Sequence, residues 1–304
     1  MKPNLFITGG SGLLALNWAA VMRDRFVVTL GMHKSQVGLQ GVKTVSLNLE
    51  STTEILTAFE QIRPQLVIHT AGLTSVEKCE ADPKLAHHVN VELTQNLAQV
   101  CAQLSVPMVH ISTDHLFSGK LPWLDEMQAV VPLNVYAGTK AEGELRVLAS
   151  GPQVMVVRTN FYGWGPSYRQ SFSDWIITSL RNGNSVTLFE DAFYTPIVIE
   201  ALINAVHELV SRSASGIFHV VGDERISKHQ FGLKIAERFQ LNAELIRAGK
   251  LVDQHALTLR PRDMSLSNTK TCRAIGRTLG GVDEHLQLLL RQYQTGLAEE
   301  LQNL

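Results

Sequence analysis

"YAGTK" at residues 136–140 sets a tyrosine four residues ahead of a lysine. On a helix, positions i and i+4 share one face, so both side chains would point into the same space. A phenol at its ordinary pKa of ~10 is a reluctant proton carrier near neutrality. An ammonium beside it stabilises the phenolate and lowers that pKa, which matches the phenol to proton transfer. The same spacing arises often by chance, and Tyr136 and Lys140 alone are equally an ordinary aromatic and an ordinary surface charge. A second stretch, "TGGSGLLA" (8–15), carries a different chemistry. Gly9 suits a tight turn, and Gly12 lets backbone approach a pyrophosphate at the N–H groups of a following helix. The third small position is Ala15, where helix and strand pack closely and a methyl is tolerated. Further on, "GMHKS" presents His33 and Lys34 with no Asp or Glu. An acid there would bind the ribose hydroxyls of NAD, whereas cations favour a 2′-phosphate. NADPH is therefore the expected cofactor, with NADH the alternative and Lys34 as a plain loop charge the competing reading.

The elements that must position these residues follow from the apolar pattern. Short apolar runs at 4–8, 26–31, 43–47, 65–71, 107–113 and 154–159 read as strands. Between them lie helical spacings at 12–24, 51–62 (opened by a Ser/Thr cap), about 82–104 and about 134–149. Nearly continuous apolar strands alternating with helices mean a parallel sheet covered on both faces, with ligands at the carboxyl ends of the strands. Beyond residue 160 the pattern loosens, with helices expected near 174–182, 198–211, 227–239 and 284–302. The expected fold is α/β, a Rossmann-type doubly wound parallel sheet with a smaller C-terminal α/β substrate-binding region. Residues 1–160, with a returning segment about 195–219, would form the dinucleotide domain. Residues 161–194 and 220–304 would form the substrate region.

Bulk properties exclude several classes. A net charge of −1 with both signs scattered gives no nucleic-acid footprint and no basic membrane patch. Three cysteines, Cys79, Cys101 and Cys272, show no paired spacing, which fits a reducing compartment and argues against a disulfide frame or zinc site. No apolar run reaches ~18 residues and no signal-peptide pattern opens the chain, so a cytoplasmic protein is expected.

With these residues in place, the chain resembles an extended short-chain dehydrogenase/reductase, and more narrowly the dTDP-4-dehydrorhamnose reductase group. The stretches that carry the resemblance are "TGGSGLLA" (8–15), "VEKCEADPKLAHHVNV" (76–91), "HISTDHLFSG" (110–119), "PLNVYAGTKAEGE" (132–144), "VRTNFYGWG" (157–165) and "LRPRDMSLSNTK" (259–270). It implies a reductase that passes hydride from a nicotinamide to the 4-keto group of a nucleotide-linked deoxysugar. Thr113 takes the Ser/Thr role and orients the carbonyl oxygen. Tyr136 is the acid and Lys140 its partner, also reaching the nicotinamide ribose. Asn90 is a structural support. The expected cofactor contacts are Gly9, Ser11, Gly12, Leu13, His33, Lys34, Asn48, Leu49, Thr70, Ala71 and Gly72, with Tyr136 and Lys140. The expected substrate contacts are Thr74, His115, Asn160, Phe161, Trp164 and Arg260. Arginine forks such as Arg260 suit a diphosphate.

Other roles compete for several of these side chains. Asp114 is either catalytic or, the favoured reading, a carboxylate that satisfies backbone N–H groups at the strand end. His115 stands where the group has a tyrosine, which leaves the sugar open. Phe161, Tyr162 and Trp164 either stack on a ring or simply pack. No metal is expected: Asp283, Glu284, Glu299 and Glu300 form no clear motif. The oligomeric state stays open, with a homodimer as the assembly that the resemblance implies. The rival functions are a sugar-nucleotide epimerase or dehydratase, and a non-catalytic NADP-binding regulatory subunit of the same fold. The dehydratase reading lacks a second acid after Thr113, and the epimerase reading lacks an acid after the second strand. A regulatory subunit has no need of Thr113, Tyr136 and Lys140 together.

Overall fold

The computed structural model describes residues 2–33, 37–254 and 256–304. Six strands fall where the apolar runs place them: β1 (Asn4–Thr8), β2 (Val27–Met32), β3 (Lys43–Ser46), β4 (Leu66–His69), β5 (Met108–Ile111) and β6 (Val154–Arg158). A seventh, Gly216–His219, joins at the edge beside β6, and all pairings are parallel. The order is Gly216–His219, β6, β5, β4, β1, β2, β3. Ile7 pairs with Leu30 of β2 on one side and Ile68 of β4 on the other. The chain therefore reverses its winding between β1 and β4, the switch point where such sheets open a crevice.

Helices cover both faces: α1 (Leu13–Met22), α2 (Thr52–Ile62), α3 (Val76–Ala81), α4 (Pro83–His87), α5 (Leu93–Gln103) and α6 (Val135–Ser150). Ser51 caps α2 by accepting from Glu54 N. The single helix expected over 82–104 is interrupted. Asp82 caps a new helix with Pro83 at its first position. The chain then swells into a π-helical turn, His88–Glu92, before α5. Such turns insert one residue and concentrate at functional sites.

The later part contributes α7 (Phe172–Arg181), α8 (Ile199–Ser211), α9 (Lys228–Arg238), α10 (Thr269–Ile275), α11 (Val282–Gln294) and α12 (Leu297–Gln302). The helix expected over 284–302 breaks at Gly296, whose φ of 86° only glycine adopts freely. Three two-stranded pairings hold this part: Phe161–Tyr162 with Ile197–Val198, Phe193–Tyr194 with Ile226–Ser227, and Val186–Phe189 with Ile246–Gly249. One buried apolar cluster runs from Leu5 and Trp18 through Trp164 and Phe231 to Leu301, so the early and late parts share a core. No described helix is long and apolar enough to cross a membrane.

Candidate active site

The carboxyl ends of β1 to β6 open into a cleft of about 990 Å³. That is the upper end of the range for ligand sites, room for more than one small ligand. Gly9 makes the first turn with φ +69°, and a Cβ there would meet Ala71 N at 2.9 Å. A Cβ on Gly10 would meet Met32 Sδ at 2.5 Å, so this glycine, unremarked in the sequence reading, is required by packing. α1 starts with no side-chain cap and no acid in its first turn, leaving its N–H groups facing the cleft. Thr70 donates to Thr8 O (2.7 Å), which ties the end of β4 to this turn.

On the opposite wall, β5 ends and α6 begins. Asn134 caps α6 by accepting from Ala137 N (2.9 Å), and its amide donates to Leu259 O (2.9 Å). Glu80 accepts from Val135 N (2.7 Å). Thr139 donates to Tyr136 O (2.9 Å) and accepts from Asn90 of the π turn (3.0 Å). Asn90 also bonds both backbone groups of Leu73, so it buttresses α6 and the loop after β4 together. On the α6 face at i, i+4 and i+8 lie Tyr136, Lys140 and Glu144, all buried. Glu144 receives a two-pronged contact from Arg158 of β6, the shortest at 2.7 Å.

Lys140, only 5% exposed, donates to Ile111 O (2.9 Å) and to His110 Nε2 (3.2 Å). His110 must then carry its proton on Nδ1. Burial and the lysine charge hold that imidazole well below its usual pKa. Burial also lowers Lys140 to about 8, against a smaller upward pull from Glu144. Burial pushes Tyr136 up to about 12, with Thr113 pulling the other way. This corrects the expectation that the ammonium lowers the phenol. Lys140 spends its hydrogen bonds on the end of β5, and desolvation dominates the phenol. Tyr136 thus keeps its proton throughout the neutral range.

Thr113 follows β5 and its hydroxyl donates to Asp114 Oδ1 (3.3 Å) while accepting from His115 N (3.2 Å). Asp114 Oδ2 accepts from Asn160 Nδ2 (2.6 Å). Burial raises the Asp114 pKa, and the carboxylate serves to orient Thr113 and Asn160. The His115 ring meets Tyr136 edge-on, with centres 5.8 Å apart, and burial lowers its pKa against an upward pull from Asp114.

Gly9, Ser11, Gly12, Leu13, His33, Asn48, Leu49, Thr70, Ala71, Gly72, Thr74, Thr113, His115, Tyr136, Lys140, Asn160, Phe161 and Arg260 all line this one cleft. Two expected residues do not join them. Lys34 lies outside the described residues. Trp164 is a correction: it is 1% exposed, its indole donates to Leu289 O (3.0 Å), and it packs on Phe239 and Tyr293. The backbone turns it into the shared core, so it cannot stack on a ligand. Wall residues that escaped the sequence reading include His88, Arg169 and Phe172. The last two fall in the Gly/aromatic segment after β6, whose position at a strand end was the available signal. Arg169 reaches Thr74 Oγ1 (3.2 Å) and Tyr168 donates to Ser11 O (3.0 Å), so this segment straps the glycine turn. Among the described residues no cluster could hold a metal ion. Of the C-terminal acids, Asp283 pairs with Lys234 and Glu300 with Arg23.

A doubly wound sheet with a glycine turn at its switch point, and Thr, Tyr and Lys at the facing strand end, defines a Rossmann-type protein of the extended short-chain dehydrogenase/reductase class. The chain belongs to the RmlD substrate binding domain family, whose model matches residues 1–295. It is 27% identical over 288 residues to the probable low-salt glycan biosynthesis reductase Agl14 of Haloferax volcanii, covering 93% of this chain and 96% of that one. It is 26% identical over 287 residues to a dTDP-4-dehydrorhamnose reductase of Aggregatibacter actinomycetemcomitans, covering 90% and 93%. Methionine adenosyltransferase 2 subunit beta of Xenopus laevis is 26% identical over 248 residues, covering 79% and 73%. Among solved structures, dTDP-4-dehydrorhamnose reductase from Bacillus anthracis in complex with NADP superposes with a TM-score of 0.86 at 23% identity, covering 96% of this chain and 100% of that one.

Proposed function

We propose that this protein is an NADPH-dependent reductase of the 4-keto group of a nucleotide-linked deoxysugar. One observation carries the reading: Thr113, Tyr136 and Lys140 stand in the same cleft as the uncapped glycine turn. The residues present fit the dinucleotide. Gly9 and Gly10 let the turn pack tightly on Ala71 and Leu30, the N–H groups at the start of α1 lie at the cleft, and no acid follows β2. Gly9, Ser11, Gly12 and Leu13 would hold the pyrophosphate, and His33, with Lys34, the 2′-phosphate side. Asn48 and Leu49, with Thr70, Ala71 and Gly72, would line the rest of its path. When bound, NADPH supplies hydride to the carbonyl carbon.

The chain's own residues manage the oxygen. Thr113 donates to the carbonyl oxygen once its single O–H turns from Asp114, 3.3 Å away, to the ligand. Tyr136 delivers the proton, and its high pKa keeps that proton in place until the far more basic alkoxide develops. Lys140 fixes the geometry from the end of β5. Thr74, His115, Asn160, Phe161 and Arg260 would face the sugar nucleotide. We further propose that residues 1–160 with 195–219 serve the cofactor and 161–194 with 220–304 the substrate. Cytoplasmic work as a homodimer completes the proposal.

The test mixes purified protein with NADPH and a panel of 4-keto nucleotide sugars. Tyr136→Phe should cost at least about 10²-fold in kcat, with NADPH affinity preserved. A wild type that binds NADPH yet turns over none of the panel would favour the non-catalytic regulatory-subunit reading; one relative is named as an enzyme's subunit beta.

A further inference from the structure

Lys228 is the first residue of α9, directly after its Ser227 cap. Its Nζ stands 4.5 Å from the centre of the Phe172 ring and 4.7 Å from that of Tyr194. Among the described residues no ion pair or hydrogen bond engages this ammonium; two ring faces hold it. Phe172 is a wall of the cleft, together with Asp114, His115 and Arg260. The Lys228 charge is felt by Asp114, which it favours as a carboxylate, and by His115, whose protonation it opposes. Arg260 in turn opposes the charge on Lys228. Arg260 itself meets Glu77 through one terminal nitrogen, while its Nε has no partner.

Arg260 thus lines the cleft, and Lys228 stands against its Phe172 wall. The carboxylates near them are Glu77, which serves Arg260 alone, and Asp114, whose oxygens are taken by Asn160 and Thr113. Ring faces offset only part of the cost of drawing an ammonium out of water. A ligand group with two negative charges would satisfy both cations at once. The substrate class proposed above carries one such group. We propose that Lys228 is the partner of Arg260 in holding the substrate's diphosphate, and that this grip sets the sugar carbonyl against Thr113 and Tyr136. The pair divides the work by chemistry, the arginine fork fixing orientation and the lysine acting as a point charge. The inference rests on the reductase reading.

Isothermal titration with dTDP, UDP, GDP and CDP, alongside NADPH, tests it. Lys228→Met should weaken the tightest nucleoside diphosphate by about tenfold or more, a difference of ~1.4 kcal/mol. Lys228→Arg should stay within a few-fold of wild type, and both variants should bind NADPH unchanged, which certifies the fold. Wild-type affinity of Lys228→Met for that diphosphate would overturn the assignment of Lys228 alone. A wild type that binds NADPH but none of the four diphosphates would overturn the reductase reading and this inference with it.

Discussion

Lys140 is costly to the fold it serves. Its pKa falls from the ordinary lysine value of 10.5 to about 8 because the ammonium is buried. Below pH 8 both folded and unfolded chains carry the proton, and the folded state bears the full penalty. Between about 8 and 10.5 the unfolded chain binds more protons than the folded one, so stability gains from rising pH. A shift of this size corresponds to on the order of 3 kcal/mol. Lys140→Met removes the titration along with the reductase activity. The melting temperature of wild type relative to this variant should climb between pH 8 and 10.5 and be flat from pH 6 to 7.5. A difference that does not change across the higher range would mean that Lys140 is solvated and unshifted.

At the scale of elements, the site depends on how closely α6 lies against the π turn. A Cβ at Gly143 would come within 2.6 Å of the Asn90 carbonyl oxygen. Gly143→Ala gains ~1 kcal/mol of helix propensity. It costs ~1–3 kcal/mol of overpacking against backbone that cannot swing aside. The clash should win: a lower melting temperature, and a kcat reduced by about 10²-fold as Tyr136 and Lys140 shift by a fraction of an ångström. Unchanged kcat in Gly143→Ala would show that α6 is free to move without consequence. The sequence could not announce this contact. Helical spacing over 82–104 was legible, but a π turn has no residue signature, and only Asp82-Pro83 marked the break before it. The strand runs were legible because parallel strands are buried on both faces. Gly216–His219 opens an apolar run of the same kind, "GIFHVV" (216–221), broken only by His219.

Across the whole molecule, legibility tracked distance from the sheet. Glycine turn, Thr113, Tyr136 and Lys140 sit at strand ends or on the helix that follows, where order along the chain fixes place in space. Trp164, Arg169, Phe172 and Lys228 come from the later part, where three two-stranded pairings decide orientation and periodicity says little. That later part is not a separable cap. Trp18 of α1 and Trp164 lie in one apolar cluster, and α12 is tied back to α1 through Glu300 and Arg23, with the shorter contact at 2.5 Å. Independent domains keep their own cores and can melt separately; a shared core couples them. With Trp123 and Trp175 both replaced by Phe, Trp18→Phe and Trp164→Phe each leave a single buried probe, so the two variants report on the two parts in turn. Each variant's fluorescence midpoint should coincide with its own circular-dichroism midpoint. NADPH at about 100 times its Kd should raise the stability seen by either probe equally, by ~2.7 kcal/mol. A fluorescence transition that separates from the circular dichroism, or that NADPH moves for only one of the probes, would mean that the two parts unfold independently and that the shared core does not couple the substrate wall to the cofactor wall.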